Sequence, residues 1–330
     1  MASFAALSTF VHYHDHLWPI IEGLRLDGHD VEDLTTWRNA DFAQYVHPKD
    51  IRLHRPDLWL VAGAVDAKHV APAKCVYVEH GAGQTYDADL RGQEHQSYST
   101  GTIPNAALFL CPNLFVQARR ARSGVLSVAV GAPRLDQWPI GNHDGVQDNA
   151  VAFAFHWDCA VVPETRSAFD HFLPEARKIA IALRRRHLIP VCHGHPRIAK
   201  RVRWHLEKAG FEWWDISDVL TKAACLVADN TSLMYEFAHI DRPIVVLNAP
   251  WYRRHVHHGL RFWECLPGAE VDEPKDLPDA VLEALTIDPK RPERRRCAEQ
   301  VFPLQGGATA RATAMIEAAL EHPVALRHGD

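Results

Sequence analysis

The stretch "LVADNTSLMYEFAHIDRPIVVL", residues 226–247, holds two short apolar runs separated by a polar break and a segment of helical period. The first run stops at Asp229-Asn230-Thr231-Ser232, and Leu233, Phe237 and Ile240 then recur at the spacing of one helix face. The second run, "PIVVL", follows at once. A buried strand, a polar turn, a helix and a second buried strand make a βαβ unit, the building block of a parallel sheet covered by helices. The turn admits two readings. Asn230, Thr231 or Ser232 can simply cap the helix, or the unpaired N–H groups of its first turn, with two hydroxyls and the helix dipole, can hold an anion. Glu236, one turn beyond Ser232, is placed to reach a ribose hydroxyl in the second reading.

The same plan recurs along the chain. Strands are expected at 4–11, 57–63, 74–80, 106–112 and 125–131, and again at 150–155, 188–194, 225–230 and 243–248, with helices near 164–187, 197–209 and 231–240. "PIGNHDGVQDNA" (139–150) has the composition of an interdomain linker. The fold class expected is therefore α/β with two Rossmann-like domains, 1–145 and 146–330, facing each other across a cleft. "PKRPERRR" (289–296) reads as a charged connector broken by proline, and about 306–322 as a closing amphipathic helix, a candidate to pack back toward the N-terminal domain.

Composition narrows the function. The chain has 330 residues, 47% of them hydrophobic and 23% charged, with a formal charge of −5, which gives no general attraction to nucleic acid or anionic lipid. Seven cysteines stand singly with no CxxC pair, so free buried thiols fit better than a disulfide framework or a zinc ribbon. No run of about 18 apolar residues occurs, and the N-terminus has no signal-peptide pattern. The expectation is a cytoplasmic protein with no integral membrane segment, with peripheral membrane contact left open. The sequence is silent on oligomeric state.

In open parallel sheets ligands bind beyond the carboxyl ends of the strands, so polar residues there are the candidates. "CHGHPR" (192–197) offers His193, His195 and Arg197 for phosphate oxygens. "YVEHGAGQTYD" (77–87) puts His80 at a strand tip as a candidate general base, with Gly81 and Gly83 allowing close backbone approach. "HYHDH" (12–16) alternates as a strand would, with His14 or His16 lining the cleft. Neither this cluster nor "HVHH" (255–258) has a supporting carboxylate–histidine spacing such as HExxH, and "DAD" (87–89), which resembles a metal-binding DxD, is read as a chance match, so no metal and no cofactor are expected.

The order of these motifs, "HG", "VGAPRLD" (130–136), "HGHPR", "VADNTSLMYEFAHIDRPIVVLNAP" and "HHGLRFWECLPGAEVDEPKDLPDAV", resembles the CDP-glycerol glycerophosphotransferases of wall teichoic acid synthesis over about residues 74–320. The resemblance implies a GT-B fold and a metal-independent transferase acting from a nucleotide-diphosphate donor. It implies His80 as catalytic base, His195-Pro196 as a phosphate contact with a catalytic role, Asn230, Thr231 and Ser232 as the phosphate loop, and Glu236 as a ribose or nucleotide contact. Two departures stand out: "FAFHWD" (153–158) replaces the family's "YAPTWR", which brings His156 to the donor side, and Asn230 replaces a tyrosine. The transferred group is then a glycerophosphate or a sugar, and the acceptor hydroxyl belongs to a polyol phosphate, a glycan, a lipid-linked group or a nucleic acid base. A sugar transferase on DNA bases or another polymer would need Arg119, Arg120, Arg122, Arg184, Arg185, Arg186 and Arg201 gathered in a basic groove. A nucleotide-sugar 2-epimerase and a non-catalytic nucleotide-binding protein share the same fold.

Overall fold

A computed structural model describes residues 1–82, 103–138, 140–141, 143–158, 166–253 and 265–321. The described residues form two compact units, one from those within 1–82, 103–137 and 302–321 and one from those within 138–301. Gly83, "DAD" and "HVHH" lie outside the described residues.

In the first unit the strands are β1 (Ser3–Leu7), β2 (Asp30–Thr35), β3 (Gln44–Tyr45), β4 (Leu58–Val61), β5 (Cys75–Val78), β6 (Ala106–Cys111) and β7 (Leu126–Ala129), with helices α1 (Val11–Leu26), α2 (Ala64–Val70) and α3 (Leu114–Ala121). The sheet order is β3-β2-β1-β4-β5-β6-β7, and every neighbouring pair is parallel. The expected strand over 4–11 ends at Leu7, and "HYHDH" opens α1 instead of continuing a strand. Its physical reason lies downstream: Leu17, Ile20, Ile21 and Leu24 recur at helical spacing and all four are buried.

The second unit contains β8 (Gln147–Phe155), β9 (Ile189–Gly194), β10 (Glu212–Trp213), β11 (Ala223–Ala228), β12 (Ile244–Leu247) and β13 (Ala269–Val271). They are all parallel, in the order β10-β9-β8-β11-β12-β13. Its helices are α4 (Phe169–Phe172), α5 (Ala176–Arg184), α6 (Ala199–Ala209), α7 (Ile216–Lys222), α8 (Leu233–His239), α9 (Leu277–Thr286) and α10 (Arg291–Val301). The last helix, α11 (Ala308–Glu321), belongs to the first unit, where Ala312, Ile316 and Ala319 join Phe4, Leu17 and Ile20 in one core cluster.

Three sequence expectations need correction here. β8 already begins at Gln147, inside the stretch read as linker, because its polar first turn of strand is exposed while residues 150–155 are buried. "PKRPERRR" enters α10: Pro292 sits in the first turn, where a missing N–H breaks no helical bond. Within that helix Arg294 is fully buried on Asp241 and Asp288, a burial that a run of arginines does not advertise. Cys265 and Cys297 form a disulfide with their Cα atoms 5.6 Å apart. Their separation of 32 residues carries no local signal. Cys75, Cys111, Cys192 and Cys225 are free and buried.

The "GAPRLD" and "LPGA" motifs turn out to be structural clasps. Asp136 accepts hydrogen bonds from the N–H groups of Ala308 (3.1 Å) and Thr309 (2.7 Å), capping α11, while Arg311 donates to the carbonyl of Val130 (2.9 Å). Gly131 is left-handed (φ 91°), and a Cβ there would lie 2.6 Å from the Leu304 carbonyl oxygen. At Gly268 a Cβ would lie 2.1 Å from the carbonyl oxygen of Ile244, so β13 can enter beside β12 only with glycine at that point. Gly268→Ala should therefore destabilise the chain by about 1–3 kcal/mol, as overpacking does; an unchanged denaturation midpoint would show that the two strands do not approach this closely.

Candidate functional site

Adjacent parallel strands lie about 4.8 Å apart, so the loops leaving β9, β8 and β11, neighbours in the second sheet, emerge side by side. The loop after β11 is the polar break at 229–232. Asp229 is fully buried and holds this place together: its Oδ1 accepts from the N–H of His156 (2.8 Å), and its Oδ2 accepts from the hydroxyl of Ser167 (3.0 Å) and the N–H of Ala168 (2.9 Å). Burial pushes the Asp229 carboxyl up to about 7, against those three hydrogen bonds, which lower it. Thr231 N–H turns back onto the Asp229 carbonyl (2.8 Å), and Ser232 is the N-cap of α8 with no side-chain capping bond. Of the two readings of the break, capping by Ser232 is thus absent; Thr231 Oγ1 accepts only a long 3.4 Å bond from Leu233 N–H. Asn230 and Glu236 are buried, Glu236 within α8.

His195 stands at the end of β9, its N–H donating to the Phe155 carbonyl (2.9 Å). Its Nδ1 accepts from the N–H of Arg197 (3.2 Å), which leaves the ring proton of the neutral imidazole on Nε2, as a donor. The His195 ring lies 5.7 Å from that of His156 and 6.3 Å from Trp157, and the Arg197 guanidinium covers Trp157 at 4.3 Å. His156, His195, Arg197 and the 229–232 loop are thus brought together. His193 is turned elsewhere, its Nδ1 donating to the Trp214 carbonyl (3.1 Å) and its ring 5.5 Å from Trp213. Sequence reasoning missed Asp229 as the organiser and Trp157 as the face under Arg197, although both stand inside motifs already singled out.

In the first unit His80 follows β5. Its Nδ1 donates to the Ala62 carbonyl (2.6 Å), so Nε2 carries the lone pair that a base needs. Burial lowers its pKa below the usual histidine value, opposed by the adjacent Glu79 and the bond to Ala62. Glu79 is itself buried against Arg119 (3.5 Å) and Arg120 (2.7 Å). Because "HYHDH" is helical, His12 and His16, four apart, share one face, and their rings lie 6.3 and 6.2 Å from His80. Tyr13 is closer, at 4.8 Å, and its ring passes over Gly63, where a Cβ would meet it at 2.4 Å. His16 is held well below the usual range by burial first, then by the charges of Arg134, His80 and His12. His14 faces the other way: its Nε2 lies 2.9 Å from Asp33. Gly81 is left-handed (φ 81°) and turns the chain directly after His80. No group of three or more potential metal ligands occurs among the described residues.

Comparisons with known proteins follow this geometry. Residues 169–316 match the family described as CDP-Glycerol:Poly(glycerophosphate) glycerophosphotransferase. No curated protein sequence matches the chain. Among solved structures, the wall teichoic acid polymerase TagF soaked with CDPG superposes with a TM-score of 0.71 at 13% identity, over 98% of this chain and 90% of that one. The S. aureus MnaA–UDP co-structure gives 0.62 at 13% identity, over 100% and 99%. The calicheamicin glycosyltransferase CalG4 gives 0.53 at 13%, over 97% and 98%. Likeness at such identity is one of fold, and the fold is GT-B. No described helix is long and apolar enough to cross a membrane. Over residues 169–316, less than half of its length, the chain is thus similar to the CDP-Glycerol:Poly(glycerophosphate) glycerophosphotransferase family.

Proposed function

We propose that the protein transfers a glycerophosphate or a sugar from a nucleoside-diphosphate donor to an acceptor hydroxyl. The observation that supports this reading is the meeting of neighbouring strand ends: Asp229, after β11, accepts from His156 N–H, after β8, and the His156 ring lies 5.7 Å from that of His195, after β9, whose Nε2 is left as a donor. Such donors suit a phosphate that gains charge as it leaves. With glycerophosphate, the acceptor oxygen forms a bond to the distal phosphorus and a nucleoside monophosphate departs. With a sugar, the oxygen bonds to the anomeric carbon and the diphosphate departs. In both, the hydroxyl proton passes to His80 Nε2. Asn230 and His156 are the positions where donor choice has diverged from the family pattern, and Glu236 is assigned to the ribose side.

Thermal-shift measurements with CDP, UDP, GDP, ADP and dTDP conjugates test the donor site; no shift from any of them would remove the reading. Because the pKa of His80 is lowered, the neutral base persists below the usual histidine range. Turnover should fall only as pH drops through that lowered value, so the acid limb of kcat/KM is expected below about 6.5. An acid limb above it, or one unchanged in His80→Ala, would count against His80 as the base. We assign the reaction no bound metal, and excess EDTA should leave turnover unchanged. A nucleotide-sugar 2-epimerase would convert its donor without any acceptor, which the same assay detects. Of the arginines that the polymer-directed alternative would gather, Arg119 and Arg120 are buried on Glu79, Arg184 donates to the Gly210 carbonyl, Arg186 and Arg201 pair with Asp279 and Asp170, and Arg122 and Arg185 are exposed.

A further inference from the structure

Beyond the carboxyl end of β2, the loop 36–43 and the outer face of α1 carry aromatic rings that the core does not use. Trp37 is 49% exposed and Trp18 38%. They belong to one contiguous set: Trp37 lies 6.3 Å from Phe42, Phe42 lies 4.8 Å from the His14 ring, and His14 lies 5.5 Å from Trp18. Behind His14 stands Asp33, whose side chain is only 9% exposed; its Oδ2 is 2.9 Å from His14 Nε2, and its Oδ1 is buried and accepts no hydrogen bond. A buried carboxylate oxygen left without a donor is costly, and its retention under an aromatic surface is a second, independent mark of a ligand position.

We propose that this surface of the first unit is a saccharide subsite that receives a pyranose ring of the acceptor. Indole faces are electron-rich and match the weakly positive C–H face of a pyranose, while the unpartnered Asp33 Oδ1 is an acceptor for one of its hydroxyls. The ring pairs are tilted, Trp37 on Phe42 by 57° and His14 on Phe42 by 43°, so they offer a one-sided platform; a nucleobase calls for a parallel slot. A lipid surface is disfavoured by charge, since loop 36–43 carries one arginine, Arg38, and one aspartate, Asp41, and so has no excess of cations. The inference rests on the transferase reading only in calling the saccharide an acceptor.

The test uses saturation-transfer NMR on the full chain with methyl β-glucopyranoside and N,N′-diacetylchitobiose as probes. The expected result is saturation of ring C–H protons of at least one probe, lost in Trp37→Ala and reduced in Asp33→Asn. It should be retained in Trp204→Ala, which removes a 55% exposed tryptophan of the second unit. No saturation from either sugar, or saturation that Trp37→Ala leaves intact, overturns the proposal. So does sedimentation with phosphatidylglycerol vesicles that Trp37→Ala abolishes while sugars give no signal, which would make this a membrane face. Nucleotide thermal shifts on the same variants separate the two readings: they should be unchanged in Trp37→Ala. If no nucleotide binds to the wild type while sugars do, the transferase reading fails and the subsite stands.

Discussion

Asp229→Asn is expected to abolish nucleotide binding and to destabilise the second unit. Asparagine keeps the shape of the side chain but offers one acceptor oxygen, and its NH2 then faces an N–H or O–H donor. The bonds at risk are those from His156 N–H on one oxygen and from Ser167 O–H and Ala168 N–H on the other. Each buried donor left unsatisfied costs about 1–3 kcal/mol, and the loops after β8 and β11 and the start of α4 lose their common anchor. The wild-type carboxyl also imposes a pH dependence. Its folded pKa of about 7 lies above the ordinary 3.8, so between those values the folded state holds more protons than the unfolded state. That contribution to stability is fully present below about 4 and is lost as pH rises through about 7. Denaturation midpoints measured across this range should lose that slope in Asp229→Asn. If the variant keeps both the wild-type slope and nucleotide-induced thermal shifts, the anchoring role is wrong.

The second large effect concerns Asp241, between α8 and β12. Three arginines of α10 converge on it: Arg291 at 3.0 Å, Arg294 at 3.1 Å and Arg295 at 2.8 Å. Asp241 is itself left-handed (φ 58°), a conformation that asparagine tolerates. Asp241→Asn therefore removes the charge without adding backbone strain and isolates its effect on Arg294, which is fully buried and keeps only Asp288 as an anionic partner. Breaking a buried pair in this way costs about 3–5 kcal/mol, and the retained Asp288 places the expectation at the lower end. Burial raises the Asp241 carboxyl, but hydrogen bonds from Arg295 and Arg291 and the charge of Arg294 outweigh it and hold the pKa below the ordinary value. The pair's contribution is accordingly present above about 3.8 and is lost as pH falls further. Chemical denaturation at pH 7 and pH 3 checks it: a loss at pH 7 that is smaller at pH 3 is expected, whereas equal midpoints at pH 7 would contradict it.

What could be read from residues alone follows from how burial writes itself into sequence. β9, β11 and β12 are central or nearly so, buried on both faces, and appear as plain apolar runs. β2, "DVEDLT", interleaves charges with its buried positions, and the two-residue strands β3 and β10 are too short to leave a pattern. α1 was obscured because its first turns carry histidines whose partners, His80 and Asp33, come from later strands. The same holds for the candidate site. Strand-end position and motif order single out His80, His195 and the 229–232 loop as candidates. Asp229's three donors, the tautomer of His195 and the diversion of His193 to Trp214 depend on residues brought in from elsewhere in the chain.

The central claim is that the second unit holds a nucleoside-diphosphate donor through His195 and the loop ending at Ser232, while His80 acts on the acceptor. Calorimetric titration of the nucleoside diphosphate that gives the largest thermal shift, into wild type, His195→Ala, Ser232→Ala and His80→Ala, tests it most directly. The account predicts one site per chain, weakened in His195→Ala and Ser232→Ala and unchanged in His80→Ala, which has nevertheless lost turnover. Equal weakening in all three variants, or binding that none of them alters, would contradict it.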